Sequence, residues 1–278
     1  VGAQTSGFET SDANINKLYS NIVWGQRGNF LSIPTDCPQR DERMGWTGDA
    51  QIFARTATYN MNVDPFFSRW FQSVRDIQGE DGSYCDYIPK VGVPPTGSSK
   101  GGGALGWMEA GVVIPWQIYQ QYGDTRFVEE HFASMEAYMD YLGNRAVGFI
   151  QPGCGYGDWV AVEHTNSPLT NTAYYAYDAI LMQKMARAIG KEAEAEKYAA
   201  LYNSIKDAFN REFVDENGRT KESKNVPPYV EWIAGGSDDK FKANTQTSYV
   251  LPLYADLFKD EYKPLAVKYL VEDVEAHG

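Results

Sequence analysis

The chain has 278 residues and a formal net charge of −12 at pH 7, and a chain of this length can bury one large core or two ordinary ones. A nucleic-acid-binding protein needs basic residues to replace phosphate counterions, and no basic stripe occurs in the sequence, so we exclude that class. No segment approaches the roughly 18 consecutive apolar residues of a membrane span. The composition therefore predicts a globular protein that has neither nucleic acid nor membrane as a partner.

The aromatic content is high, with 19 Tyr, 13 Phe and 7 Trp. Aromatic rings cover the apolar C–H faces of sugars, but they also fill helical cores. Their number alone therefore does not show which of these roles they have. The cysteines and histidines are few and scattered, without C-x-x-C spacing, at Cys37, Cys85, Cys154, His131, His164 and His277. This pattern predicts no disulfide framework and no metal site.

Apolar residues recur with helical period in about nine stretches, and few segments alternate with period 2. Ser11 is the expected cap of the first helix, and Asp64-Pro65 begins the third with a cap residue followed by Pro at the first helical position. The predicted ranges are 13–26, 49–59, 64–74, 107–121, 125–144, 168–189, 192–213, 245–258 and 261–276. The sequence thus predicts an all-α protein.

Several of these helices are apolar on more than one side, for example residues 174–188 (YYAYDAILMQKMARA). A helix that is apolar all round is buried on both flanks. Antiparallel hairpins with short turns on one rim and long loops on the other fit an (α/α)6 toroid, in which an inner ring packs inside an outer ring. Because six hairpins need twelve helices, we expect residues 1–278 to be part of a single (α/α)6 domain that lacks its last helices.

The segment 29–51, NFLSIPTDCPQRDERMGWTGDAQ, carries four acids within fourteen residues, with two arginines and a tryptophan among them. Its prolines and glycines prevent a regular helix over most of its length, so the acids are expected on a loop before the second helix. Crowded acids repel one another when ionised, and at least one should keep its proton to a higher pH than in free solution. A protonated carboxyl near neutrality is what a glycosidase general acid requires. The alternative is a solvated surface loop with local Asp–Arg pairs and a helix cap at Asp49.

The order of residues in three segments favours the catalytic alternative. SIPTDCPQRDERMGWTGDAQ, residues 32–51, closely resembles the signature of the α-L-rhamnosidases of glycoside hydrolase family 78. LGWMEAGVVIPWQIYQQYGDTR, residues 105–126, and GYGDWVA, residues 155–161, resemble the second and third motifs of that family, and the later helices are similar in a more generic way. The resemblance implies an (α/α)6 catalytic domain that hydrolyses terminal α-L-rhamnosides with inversion and uses no organic cofactor.

The resemblance also implies roles for individual residues. Glu42 matches the general acid of the family. Asp36 and Asp49 match acids that hydrogen-bond the rhamnose hydroxyls, and three tryptophans match residues that line the sugar pocket. The expected substrate-binding set is Asp36, Arg40, Asp41, Trp46, Asp49, Trp107, Glu109 and Trp159. This chain departs from the family by placing Met108-Glu109 where Gly-Asp is usual, so Glu109 is expected to act at longer reach.

An inverting enzyme needs a second carboxylate that activates water on the opposite face of the sugar. In the family this base is a Glu that follows a Trp well downstream of the acid motif, and we expect it beyond residue 278. Glu231-Trp232 has the reversed order and is not assigned as the base. Without that base, residues 1–278 alone are expected to hydrolyse very slowly or not at all.

Two rival functions remain at this stage: another six-hairpin inverting glycosidase, and a non-catalytic sugar-binding derivative of the fold. The expected partner is a rhamnose-containing oligosaccharide, polysaccharide or plant glycoside, and the parent protein is expected to carry β-sandwich domains. The first residues lack the pattern of a signal peptide. An extracytoplasmic location is favoured, with any such signal outside this segment.

Other residues have a structural and a functional interpretation. Trp24, Trp70 and Trp116 lie on helix faces at core spacing, and we predict that they are core residues. Asp158 precedes Trp159 and either caps the following turn or contacts sugar, and the sequence does not decide between these roles.

Overall fold

The computed structural model describes residues 2–90, 101–153, 155–223 and 241–277. Within these ranges the protein is mainly helical, as the sequence predicts. The helices are α1 Ala13–Asn29, α2 Thr47–Asn60, α3 Asp64–Asp76, α4 Ala110–Tyr122, α5 Arg126–Arg145, α6 Ser167–Ala188, α7 Glu192–Phe213, α8 Gln246–Tyr254 and α9 Lys263–His277. Two strands of two residues each, β1 His164–Thr165 and β2 Phe241–Lys242, pair in parallel.

The chain divides into two compact units. The first contains Val1–Gly103 and Trp107–Tyr138, and the second contains Ala104–Gly106 and Met139–Gly278. In the first unit α2 packs against α4. Phe30, directly after α1, stacks on Phe66 of α3 at a centroid distance of 4.6 Å. This contact joins α3 to the start of the acidic loop, which is the segment 30–46 between α1 and α2.

The second unit is built on α6, in which 15 of 22 residues are buried. This burial confirms the prediction from its all-round apolar pattern. Helix α6 packs against α7 and α8, and α8 packs against α9. Between α6 and α7, Gly190 has a φ of 75°, and the N–H of Lys191 donates to the carbonyl of Ala186 at 2.9 Å. A residue in the left-handed region is thus needed to end α6, which is the usual position of Gly after a helix.

The helix starts differ in detail from the predictions. Asp12, rather than Ser11, caps α1, because its carboxylate accepts the N–H groups of Asn14 and Ile15 at 2.8 and 3.4 Å. Helix α2 begins at Thr47 with Trp46 as its cap residue, so Asp49 lies within the first turn. Helix α3 starts at Asp64, but its cap residue is Val63 rather than the predicted Asp64, so Pro65 is the second helical residue instead of the first.

The three helix-face tryptophans have different environments. Trp70 is completely buried, as predicted, and Trp116 is half-buried beside Tyr119. The prediction for Trp24 is wrong, because its ring is 65% exposed and lies under the guanidinium of Arg27 at 4.9 Å. None of the helices in the described ranges is both long and apolar enough to span a membrane.

Candidate active site

The acidic loop folds back on itself between α1 and α2. Its closing contact is a hydrogen bond from the N–H of Asp36 to the carbonyl of Met44 at 3.2 Å. Arg43 reverses the chain with a φ of 54°. Arg40 and Glu42 therefore lie inside a loop whose ends are tied together, which limits how far their side chains can move from Asp36.

Glu42 has a defined partner for each carboxylate oxygen. Oε1 accepts a hydrogen bond from Nε1 of Trp46 at 2.9 Å, and Oε2 pairs with Nη2 of Arg40 at 2.6 Å. The Glu42 side chain keeps 28% of its surface exposed, and that of Arg40 keeps 63%. The carboxyl group is thus oriented by two donors while part of it stays accessible to a ligand.

Asp36 lies beside Glu42. One carboxylate oxygen from each residue and the sulfur of Cys37 all lie within 4.8 Å of one another. Oδ1 of Asp36 is enclosed by protein and has no hydrogen-bond partner among the described residues. A buried acceptor without a donor carries a desolvation cost that a ligand hydroxyl can remove. These three groups could also ligate a small cation, although Arg40 already pairs with one Glu42 oxygen.

The carboxyl group of Asp49 interacts electrostatically with those of Asp36 and Glu42, and these three acids form the acidic cluster. Asp49 is exposed to solvent, but the surrounding protein partly desolvates its carboxyl group, and this desolvation is the first cause that raises its pKa above the ordinary value; the negative charges of Asp36 and Glu42 raise it further. Its position in the first turn of α2 opposes this shift, because the backbone N–H groups there favour a carboxylate. The direction agrees with the prediction that crowding raises the pKa of one of these acids, but at Asp49 desolvation is a larger cause than the neighbouring charges.

Trp107 is held against the start of α2. A Cβ atom added to Gly48 would lie 2.8 Å from Cδ1 and 2.9 Å from Nε1 of the Trp107 indole. The absence of a side chain at Gly48 thus lets the ring approach the turn that carries Asp49. The structure brings together six of the predicted residues in the first unit, namely Asp36, Arg40, Glu42, Trp46, Asp49 and Trp107.

The remaining predicted residues have other surroundings. Asp41 is exposed. Glu109 is completely buried, and one of its carboxylate oxygens accepts a hydrogen bond from the hydroxyl of Tyr138 at 3.3 Å. Contact between Glu109 and a sugar therefore stays a prediction. Trp159 belongs to the second unit, where it is 57% exposed and meets Tyr156 edge to face.

Asp158 has an anchoring role in the second unit. Both of its carboxylate oxygens accept the N–H of Thr165 at 3.1 Å, and Oδ2 also accepts the Thr165 hydroxyl at 2.7 Å. The Thr165 hydroxyl in turn lies 2.5 Å from that of Thr245. Asp158 also lines a cavity of about 340 Å³ in the second unit, together with residues of α6 and α8 that include Asn171 and Gln246.

Sequence reasoning missed some residues around the cluster. Cys37 and Gly48 lie inside the motif and could have been found from it. Tyr87, whose ring contacts Trp46 at 5.1 Å, carries no sequence signal. Glu231-Trp232 and Cys154 lie outside the described residues.

Carboxylates, an arginine and tryptophans lie together at the start of one helix of a mainly helical protein. This set of side chains is typical of a site that hydrolyses carbohydrates. The chain belongs to the family described as the bacterial alpha-L-rhamnosidase 6 hairpin glycosidase domain, whose model matches residues 3–278. The fold class is therefore the six-hairpin, (α/α)6 class that the sequence predicted.

Similar proteins agree with this assignment. The chain is 40% identical over 273 residues to an alpha-L-rhamnosidase of Streptomyces avermitilis and 36% identical over 279 residues to one of Formosa agariphila. In both comparisons 98% of this chain is covered. The crystal structure of the Streptomyces avermitilis enzyme complexed with L-rhamnose matches 99% of this chain with a TM-score of 0.85 and 39% identity. The alpha-L-rhamnosidase structure from Dictyoglumus thermophilum matches 98% with a TM-score of 0.81 and 37% identity.

The chain spans only part of these relatives. It covers 24% of the Streptomyces avermitilis protein and 27% of the Formosa agariphila protein, and 29% of the Dictyoglumus thermophilum chain. The family assignment thus describes one segment of proteins that are about four times longer.

Proposed function

We propose that the protein containing this chain is an α-L-rhamnosidase that hydrolyses terminal α-L-rhamnosides with inversion, and that Glu42 is its general acid. The observation that carries the proposal is the placement of Glu42. Its carboxyl group is oriented by Arg40 and Trp46, remains partly exposed, and lies beside Asp36. Family membership and the rhamnose bound to the Streptomyces avermitilis enzyme support the choice of sugar.

In the proposed reaction, Glu42 gives its proton to the glycosidic oxygen as the bond to the anomeric carbon breaks. A second carboxylate of the full-length protein, which we place beyond residue 278, takes a proton from water as the water attacks that carbon from the opposite face, so one displacement inverts its configuration. Asp36 and Asp49 accept hydrogen bonds from ring hydroxyls, and Trp46 and Trp107 cover apolar faces of the sugar. Acceptors beside the ring also stabilise the positive oxocarbenium character of the transition state.

The substrates that we propose are rhamnose-containing oligosaccharides, polysaccharides or plant glycosides. The parent protein is proposed to carry β-sandwich domains, for which the much greater length of the relatives leaves room. Among the described residues we assign no second carboxylate to the activation of water. The proposal therefore concerns the full-length protein as it is encoded.

A panel of aryl glycosides tests the sugar. The full-length protein should release nitrophenol from 4-nitrophenyl α-L-rhamnoside and at least 100-fold more slowly from the glucoside and the unsaturated uronide. Proton NMR should find β-L-rhamnose as the first product. Preferred cleavage of another glycoside would indicate a different six-hairpin glycosidase. Binding of rhamnose without release of any nitrophenol would indicate the non-catalytic sugar-binding derivative of the fold.

Replacing Glu42 tests whether this residue is the general acid. Glu42→Gln should lower kcat by roughly two to four orders of magnitude on a substrate with a poor leaving group. Glu130→Gln is the matched control, because Glu130 also pairs with an arginine, Arg75 at 2.7 Å, but lies outside the acidic cluster. Normal turnover in Glu42→Gln would remove this residue from the role.

A further inference from the structure

Tyr87 meets the tryptophan that holds Glu42. The rings of Trp46 and Tyr87 lie 5.1 Å apart at an interplanar angle of 62°, an edge-to-face arrangement. Tyr87 is buried, with 7% of its surface exposed. Trp46 also donates its indole N–H to Oε1 of Glu42 at 2.9 Å. The Trp46 indole thus contacts both a buried ring and the carboxyl group of the proposed general acid.

The backbone fixes these two rings opposite each other. Trp46 and Tyr87 form an antiparallel bridge. On one side of it the N–H of Thr47 donates to the carbonyl of Asp86 at 2.8 Å, and on the other the N–H of Ile88 donates to that of Gly45 at 2.9 Å. Opposed residues flanked in this way are a non-hydrogen-bonded pair, in which side chains approach most closely.

The frame around the bridge has little freedom. A Cβ atom at Gly45 would lie 2.2 Å from the carbonyl oxygen of Ile88, so the two segments are in direct backbone contact. The same carbonyl accepts the indole N–H of Trp70 at 3.0 Å. The Thr47 hydroxyl donates to the carbonyl of Asp86 at 2.8 Å. These contacts hold the backbone on both sides of the ring pair.

We propose that Tyr87 is a positioning residue for the general acid and acts on Glu42 through Trp46. The inference rests on the proposed function, in which Glu42 gives the proton. Without the Tyr87 ring, the Trp46 indole is held less firmly, which weakens one of the two donors that aim the carboxyl group of Glu42. Arg40 binds the other carboxylate oxygen, so Oε1 is held by Trp46. Proton transfer then becomes less efficient while sugar binding is largely kept.

Leaving-group dependence separates this role from a structural one. A poor leaving group needs the proton of the general acid, whereas 2,4-dinitrophenolate leaves without it. In the full-length protein, Tyr87→Leu should lower kcat/KM for 4-methoxyphenyl α-L-rhamnoside by roughly 30-fold and for the 2,4-dinitrophenyl substrate by less than about 3-fold. Tyr87→Phe keeps the ring and should restore most of the loss. If Tyr87→Leu does not fold, Tyr87→Met, which is unbranched and more adaptable, replaces it.

Two further variants complete the experiment. Phe71→Leu removes a buried aromatic ring of the same unit, whose described ring contacts are with Trp70, Phe127 and His131, and it should not change the ratio between the two substrates. Equal losses on both substrates in Tyr87→Leu, or no loss, would overturn the inference if Glu42→Gln still loses activity selectively on the poor leaving group. If Glu42→Gln shows no such selectivity, the proposed function itself fails.

Discussion

The indole ring of Trp107 lies directly against Gly48, at the position that any side chain of residue 48 would occupy. Gly48 is the second residue of α2 and directly precedes Asp49. Gly48 therefore sets how closely Trp107, in the second sequence motif, approaches Asp49, in the first. The relationship links two motifs that are almost sixty residues apart in the chain.

Gly48→Ala should displace the Trp107 ring, because the new Cβ would lie 2.8 Å from it. We expect a loss of about 1–3 kcal/mol in the free energy of unfolding, as is usual for overpacking, together with a several-fold higher KM for an aryl rhamnoside. Urea denaturation and steady-state kinetics measure the two effects. Gly25→Ala in α1 is the control, because nothing lies within 4 Å of its added Cβ, and it should stabilise slightly. Similar results for the two variants would contradict the proposed contact.

Trp46→Phe should remove the donor to Oε1 of Glu42 while it keeps an aromatic ring beside Tyr87. We expect kcat on a poor leaving group to fall roughly 10- to 100-fold, because the general acid is no longer aimed by its indole partner. The free energy of unfolding should change by less than about 1.5 kcal/mol, since the ring remains. Unchanged kcat would show that the hydrogen bond between Trp46 and Glu42 does not serve catalysis.

Asp158→Asn should destabilise the second unit. The substitution removes the charge and one of the two acceptor oxygens that hold Thr165, which should cost about 1–2 kcal/mol in the free energy of unfolding. Asp140→Asn is the control, because its ion pair with Lys197 is exposed and 3.6 Å long, so its loss should cost under about 0.5 kcal/mol. Equal stability of the two variants would mean that Asp158 does not anchor Thr165.

His131 should make the stability of the protein fall in mild acid. The ring is almost fully buried beside Phe71 and Phe127, at centroid distances of 5.0 and 4.7 Å. Burial is the first cause that lowers its pKa from 6.5 to about 4. Because the unfolded chain then binds the proton more readily, stability is full above the unfolded pKa of 6.5 and falls as the pH drops towards 4. The full effect is about 3 kcal/mol, at about 1.4 kcal/mol per pH unit.

The comparison of wild type with His131→Leu isolates this effect. Urea unfolding at pH 7, 6, 5 and 4 should give a shallower loss of stability for His131→Leu. The exposed His277 provides the control variant His277→Leu, whose pH profile should follow that of the wild type. Parallel profiles for wild type and His131→Leu would contradict a neutral, buried His131.

The helices and the residues of the acidic cluster could be predicted from the sequence, because both depend on residues that lie close together in the chain. The all-round apolar pattern of α6 predicted its burial, and the signature around Glu42 placed Asp36, Arg40 and Trp46 on one loop directly before the helix that carries Asp49. Crowding of these acids predicted a raised pKa among them, and it contributes to the shift at Asp49, although desolvation contributes more.

Other features depend on contacts between residues far apart in the chain, and only the folded structure supplied them. Tyr87 lies opposite Trp46 because two backbone hydrogen bonds align their segments; Glu109 is buried beside Tyr138; and Trp24, on a helix face with core spacing, is exposed. The physical reason is that periodicity reports which residues share a face or a loop. The register between distant segments, and the element that covers a given face, are set by packing.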